Sequence, residues 1–408
     1  MVRRGGAVPK PTVTVAVVGC LLVALAGCVG PLGREEVPVV VVGTSQAATI
    51  ESAGVDSPLL AVDPAAVRDA WRPDQPIVVN AVAGSLGGVT VTAKGGGEVP
   101  GSLSDDGQHW QSSGALLPGT TYRVTAAMAG STPELSATKS VKIRTMDSTP
   151  SFEARISPRD GARVGVGMPV LVRFSAPVAE EYRANVQRAL KVTSTPAVEG
   201  AWSWASDTRV EYRPMEFWPA RTTVSVSVDL AGVQAGADMW GAQDKGVKFR
   251  IGRSVVSVVD VATHQMTVTI DGTPARSIPV TTGKDGFATR GGTRVISEML
   301  AQTRMDAAST GIVPGDPEYY NLDVRYAMRM TNSGEFIHAA PWSVDAQGVD
   351  NVSHGCVGMS LADAKWLFEQ SRVGDVVTVV NSTRKLEPGN GLTQWNVAWE
   401  DWAAGSAL

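Results

Sequence analysis

The sequence is short of the residues that most often carry cross-links or chemistry. Its 408 residues include only three cysteines and four histidines. No disulfide framework is available to staple the fold, so packing of apolar side chains has to hold it. An excess of one charge is lacking too: 36 Lys and Arg against 40 Asp and Glu leave a formal net charge of −4. No basic patch stands out, which argues against a nucleic-acid partner. The histidines and thiols show no zinc-ligand spacing. The segment Gln234 to Asp238 offers one carboxylate, too little for calcium. No cofactor is expected.

Glycine and proline are present in quantity, 43 and 24 residues. With an ordinary apolar content, this suits many short strands joined by turns. The length exceeds what one hydrophobic core usually serves, so two or three domains are expected.

The N-terminus is the first region with a definite pattern. Arg3, Arg4 and Lys10 precede an apolar run from Val13 to Ala26, interrupted by Thr14 and Gly19. The run falls short of the ~20 residues a spanning helix needs. It leads into Leu25-Ala26-Gly27-Cys28. A basic start, a short apolar centre and small residues before a cleavage point describe an export signal over 1–27. Small residues directly before Cys28 resemble the bacterial lipoprotein box, which implies cleavage ahead of Cys28 and acylation of its thiol. The alternatives are a plain signal peptide and an uncleaved anchor. The expected address is the cell envelope, outward-facing and lipid-anchored to the membrane through Cys28. Cys20 then leaves with the signal, and Cys356 is the one free thiol. A lone thiol in an oxidising compartment is a liability unless it does chemistry.

Residues 28–57 are rich in Gly, Val, Ser and Ala without a helical period and read as a tether. From 58 to 147 short alternating runs, Val89–Thr92, Tyr122–Thr125 and Ser140–Ile143, are separated by turns such as Asp106-Gly107 and Pro118-Gly119. The same grammar returns over 148–252, where Trp218-Pro219-Ala220-Arg221-Thr222-Thr223 echoes Leu117-Pro118-Gly119-Thr120-Thr121. The fold class expected is mainly β: two tandem immunoglobulin-like sandwiches, then a β-rich catalytic domain with one main helix and a Trp-rich helical tail. One larger β domain in place of the two sandwiches is the alternative. In the block 253–382, Ser254–Asp260, Gln265–Asp271, Ser277–Val280 and Asp375–Val380 read as strands, with Pro279 marking an edge or a bulge. Ser360–Ser371 reads as a helix capped by Ser360 with Asp363 three residues on. In the tail, 383–408, the spacing of Trp395, Trp399 and Trp402 predicts one helical face packed against the third domain.

The chemistry-bearing segment is Phe336-Ile337-His338-Ala339-Ala340-Pro341-Trp342, followed by Asn351-Val352-Ser353-His354-Gly355-Cys356-Val357-Gly358. Two of the four histidines, His338 and His354, lie within 20 residues ahead of the free thiol. A cysteine nucleophile needs a base that reaches its sulfur across space. His338 ends an apolar run, and a turn through Pro341 to Asp350 brings the chain back to face it, so His338 is the expected base. His354 is the expected orienting residue. Gly355 permits sharp geometry and an oxyanion hole beside the nucleophile. The helix starting near Ser360 is expected to acidify the thiol a little further.

Ser353-His354-Gly355-Cys356, with His338 upstream in His-Ala-Ala-Pro-Trp, resembles the signature of the L,D-transpeptidases, the YkuD family. The preceding sandwiches and the lipobox extend the likeness to the mycobacterial and actinobacterial members. The resemblance implies that Cys356 attacks the carbonyl between meso-diaminopimelate and D-alanine of a tetrapeptide stem. His338 passes the thiol proton to the leaving amine. The acceptor stem's side-chain amine then resolves the thioester into a 3→3 peptidoglycan cross-link. It further implies that the Ala339 carbonyl orients His338, that the Gly355 and Cys356 amides form the oxyanion hole, and that Tyr320, Ser333, Gly334 and Asn351 touch the stems. Carbapenem β-lactams are implied as covalent inhibitors. The family pattern usually has Asn where this chain has Gly358, so a side-chain amide is missing beside the site. A carboxypeptidase or other hydrolase using the same Cys–His pair is the alternative, since only the identity of the resolving nucleophile differs.

Overall fold

The computed structural model describes residues 40–41, 70–81, 84–129 and 138–408. The export signal, Cys28 and most of the tether lie outside the described residues. Within the stretch read as tether, Val40–Val41 pairs in parallel with Val79–Asn80.

Two β-sandwiches come first. In the first, Glu98–Val99, Ser85–Ala93, Thr121–Ala129 and Thr138–Arg144 form one sheet. Val40–Val41, Val78–Asn80, His109–Ser112 and Gly101–Leu103 form the other. The alternating run from Thr121 to Ala129 buries Tyr122, Val124, Ala126 and Met128 against Trp71, Ile77, Val79 and Trp110, as the two-residue period of a strand requires. In the second, Leu190–Thr195, Thr223–Val228 and Lys245–Ile251 face Gly200–Ser206, Arg209–Pro214, Val170–Phe174 and Ala154–Ser157 across a separate core. A nine-residue helix, Glu180–Arg188, covers one end of this second core. The sequence reading has no helix there, because a mean polarity this high leaves only Val186 and Gln187 buried and little apolar period to detect.

The remaining chain builds two sheets over a shared core. Strands β1 (Val255–Asp260), β2 (Gln265–Ile270), β3 (Thr273–Pro279) and β4 (Gly292–Val295) belong to a five-stranded sheet. β5 (Glu298–Asp306), β6 (Asn321–Arg329), β7 (Phe336–Ala339) and β8 (Val357–Met359) form a four-stranded sheet in that order. Helix α1 (Leu361–Gln370) follows, and β9 (Val376–Val380) inserts between β1 and β4. Ser360 caps α1 by accepting from the Asp363 amide at 3.1 Å, while its hydroxyl donates to the Asp363 carboxylate at 2.7 Å. Met266, Val268, Ile278, Ile337, Val357, Met359, Leu367 and Val377 meet between the sheets and the helix. Pro279 ends the edge strand β3, whose pairing with β2 slips at Val268/Thr269.

The tail differs from its sequence reading. Gln394–Asn396 is a single 3-10 turn and Trp399–Ala404 a six-residue helix, with extended Val397 between them. The three tryptophans therefore share no helical face; their rings dock on the second sandwich, while the turn carrying Trp395 also packs on β4 of the third domain, where Asn396 accepts from the Thr293 amide at 2.7 Å. Their rings surround the Arg213 guanidinium at 4.9, 5.4 and 5.0 Å. Trp395 donates to the Gly167 carbonyl and Trp402 to that of Ala201. Backbone bonds from Gly165 to Val373 and from Gly167 to Gly374, both 2.9 Å, add to this joint. Among the described residues no helix is long and apolar enough to cross a membrane.

Candidate active site

β7 and β8 run parallel, so a crossover must link them. A kinked 3-10 segment, Pro341–Ala346, and the loop to Cys356 supply it. The register pairs Ile337 with Val357, His338 with Gly358, and Ala339 with Met359. Ile337, Ala339, Val357 and Met359 point into the core. The alternation of a strand then turns His338 and Gly358 to the opposite face. Here a cleft of about 260 Å³ is lined by His338, Cys356, Ser353, His354, Tyr320, Trp342, Gly358, Met305 and Val324 among others.

His338 is buried, and its Nδ1 lies 2.8 Å from the Ala339 carbonyl oxygen. A carbonyl only accepts, so Nδ1 carries the hydrogen and Nε2 is left with its lone pair. Burial lowers the imidazole pKa below its ordinary value, against a smaller raising effect of the Ala339 bond. Trp342 stacks on the ring at 5.9 Å while 54% exposed, forming one lip of the cleft.

Cys356 is 9% exposed and packs with Val324, Ala327 and Phe336. Its thiol donates to the Gly334 carbonyl at 3.7 Å. Burial pushes the thiol pKa up to about 12, opposed by a backbone hydrogen bond from Phe336 and reinforced by the Glu335 charge. At rest the site therefore holds a neutral thiol and a neutral imidazole. The expected acidification by the helix is corrected: β8 separates Cys356 from the first turn of α1, and a helix terminus acts only within about one turn.

The loop at the thiol is braced from several sides. The Ser353 hydroxyl donates to the Cys356 carbonyl at 2.7 Å and accepts from the Gly355 amide at 3.1 Å. Thr289 donates to the Gly355 carbonyl at 2.9 Å. Gly355 has φ +117, a conformation that favours glycine. Its amide is thus occupied by Ser353, which modifies the oxyanion-hole expectation: Gly355 must leave that hydroxyl before it serves a developing charge.

The expected contact residues divide. Tyr320 lines the cleft, and Gly334 touches the thiol through its carbonyl. Ser333 does not line the cleft; Asn390 of the tail accepts from its amide at 3.0 Å and donates to its hydroxyl at 3.0 Å. Asn351 makes bracing hydrogen bonds. Its Oδ1 accepts from the Thr282 amide at 2.9 Å and hydroxyl at 2.6 Å and lies 3.1 Å from His264 Nδ1, and its Nδ2 donates to Val261. Its Oδ1 is fully engaged, while Nδ2 has a second hydrogen beyond the one given to Val261. His354 does line the cleft, between Phe287 at 4.7 Å and Tyr320 at 5.0 Å.

Gly358 is enclosed. A Cβ there would lie 2.9 Å from the Ala340 Cβ and 3.0 Å from the Thr281 methyl, both short side chains on paired backbone. Gly358→Asn, which restores the usual family side chain, is therefore expected to destabilise the chain by about 1–3 kcal/mol and to leave acylation no faster. Thermal melting and acylation rates of the variant check this.

Several site residues carry no sequence signal. Thr289, Lys284, Glu318 and Glu335 stand in loops or at strand ends far from Cys356 along the chain. Trp342 alone was visible, as part of the histidine motif.

Comparison with known proteins gives two family matches: a bacterial Ig domain over residues 68–234 and an L,D-transpeptidase catalytic domain over 254–379. L,D-transpeptidase 2 of Mycobacterium tuberculosis is 36% identical over 335 residues, covering 82% of this chain and 81% of that protein. L,D-transpeptidase 5 of the same species is 33% identical over 344 residues, covering 82% and 74%. A solved L,D-transpeptidase in complex with imipenem is 33% identical, covering 57% of this chain and 99% of its own, with a TM-score of 0.49. With that motif, catalytic-domain match and near full-length relatives, the chain belongs to the L,D-transpeptidase (YkuD) family.

Proposed function

We propose that this chain cross-links peptidoglycan through a thioester on Cys356. The observation that carries the reading is the shared cleft of His338 and Cys356, with the imidazole held by the Ala339 carbonyl so that Nε2 keeps its lone pair. Cys356 Sγ attacks the carbonyl carbon between diaminopimelate and D-alanine of a donor stem as Nε2 takes the thiol proton. The carbonyl electrons move onto oxygen. They return to expel the D-alanine amine, which takes the proton from the imidazolium. The side-chain amine of a second stem attacks the thioester, the imidazole takes its proton, and the sulfur leaves as the amide forms, recovering that proton from the imidazolium. General-base transfer in the attack step suits a pair that is neutral at rest. A β-lactam ring presents the same electrophilic carbonyl, so a carbapenem is expected to acylate Cys356. In the same reading Cys28 is lipidated after signal removal, the sandwiches over 58–147 and 148–252 act as spacers, and the domain at 253–382 faces the wall outside the membrane.

The test is to incubate the purified chain with a disaccharide-tetrapeptide and weigh the products. A dimer lacking one D-alanine supports transfer. Tripeptide monomer alone supports the hydrolase instead.

A pH profile tests the resting state. The imidazole must be neutral to accept the proton, and burial sets its pKa below 6.5. The acid limb of the acylation rate is therefore expected below pH 6.5. With the thiol pKa near 12, no rise with hydroxide is expected between about pH 7 and about pH 9. A tenfold gain per pH unit in that range indicates attack by free thiolate and contradicts the scheme.

A further inference from the structure

The segment from Ala307 to Tyr320 joins β5 to β6, and its end closes one side of the cleft. Its attachment to the nucleophile loop is specific. Glu318 Oε2 accepts from Lys284 Nζ at 2.5 Å and from His354 Nε2 at 2.6 Å. Lys284 is itself tied to that loop, its amide donating to the Ser353 carbonyl at 2.9 Å. Two residues after Glu318, Tyr320 lies against the His354 ring. His354 is thus held by its edge and by its face from one segment, two residues ahead of Cys356. The Glu318 amide donates to Asp316 at 2.8 Å, which presets the turn that aims the carboxylate. Lys284 first, then His354, holds the Glu318 carboxyl below the usual carboxylate range, so it is charged at neutral pH. A carboxylate only accepts, so His354 Nε2 carries its hydrogen.

We propose that Glu318 is a positioning residue for acylation, its carboxylate clipping the 307–320 segment to the nucleophile loop and so setting the gap between the Tyr320 wall and the Cys356 thiol. Glu318 touches no reacting atom; it acts through His354 and Tyr320. The inference rests on the reading of Cys356 as the nucleophile. Small errors in the placement of a reacting carbonyl cost large factors in rate. A partly exposed ion pair is also weakened by salt, since the screening length falls below about 10 Å above ~0.1 M.

The experiment measures the second-order rate of acylation of the full chain by imipenem, followed by intact mass, at about 0.05 M and about 0.5 M salt. Glu318→Ala is expected to slow acylation about tenfold at low salt. The wild type is expected to slow about threefold on adding salt, and Glu318→Ala to lose that slope. Glu318→Gln keeps an acceptor for His354, so it should recover most of the rate without the slope. Lys284→Met should slow the reaction in the same direction and also lose the slope. Glu318→Ala at the wild-type rate overturns the clip, as does a slowed variant that keeps the full salt slope. A wild-type chain that takes no acyl group at all sinks the Cys356 reading itself, whereas an acylated wild type with an indifferent Glu318→Ala sinks the clip alone.

Discussion

Cys356→Ala is expected to lower transfer by roughly a millionfold, because members of a nucleophile–base pair fail as a unit. The fold should survive. Cys356 packs at the edge of the cleft with Val324, Ala327 and Phe336, and exchanging a thiol for a methyl removes little buried volume. The loop braces do not use the thiol: Ser353 bonds the Cys356 carbonyl, and Thr289 the carbonyl of Gly355. Melting of the variant should therefore stay near that of the wild type while incubation with tetrapeptide stems or a carbapenem leaves its mass unchanged. Retained cross-linking by Cys356→Ala sinks the proposed mechanism. His338→Gln provides the companion measurement. It keeps a polar group near the thiol but no base, so acylation should fall steeply there as well.

The second large effect is expected in stability. Arg294 is fully buried and Glu335 is 5% exposed at the side chain. Glu335 Oε2 accepts from Arg294 at 3.0 Å, and Oε1 accepts from the Arg290 guanidinium at 3.0 Å and amide at 3.1 Å. Arg294 also donates to the carbonyls of Arg290 and Gly292. Burial lowers the Arg294 pKa to about 10, with the Glu335 charge working against that fall. Glu335→Gln leaves the buried Arg294 guanidinium without its carboxylate partner, while Arg290 keeps Glu387 at 2.6 Å. Breaking such a pair from one side costs about 3–5 kcal/mol, and a lowered melting transition of the catalytic domain reads it. Replacing Arg294 and Glu335 together by apolar residues of similar size should recover much of the loss. Single and double variants that melt alike refute the account.

The same substitution should move the thiol the other way. Burial is the main reason for the high pKa of Cys356, but the Glu335 charge adds to it. Glu335→Gln is thus expected to lower the thiol pKa below about 12 even as the fold weakens. Alkylation rates measured against pH separate these opposite signs.

The strands from Ser85 to Ala93, Thr121 to Ala129, Val255 to Asp260 and Gln265 to Ile270 were legible because alternation is a local property of the chain. The same holds for α1, whose cap residue and apolar period are neighbours in sequence. Helix Glu180–Arg188 escaped because it buries too little to leave a period. The tail misled because a four-and-three spacing predicts a helical face only where the backbone is continuous, and Val397 interrupts it. Arg213 nonetheless gathers all three tryptophans. That convergence spans more than 180 residues of chain and has no local signature.

The sequence by itself determined the β-rich class, the family and the pair of segments that carry His338 and Cys356, because each is written in short patterns or contiguous motifs. Tertiary structure decided what those residues meet. It commits Asn351 to Thr282 and the Gly355 amide to Ser353. It encloses Gly358 between Ala340 and Thr281. It also sets Glu318 against His354 and Glu335 behind the thiol. Hydrogen bonding, burial and charge act through space, and their partners here come from strands and loops that the sheet register alone brings together.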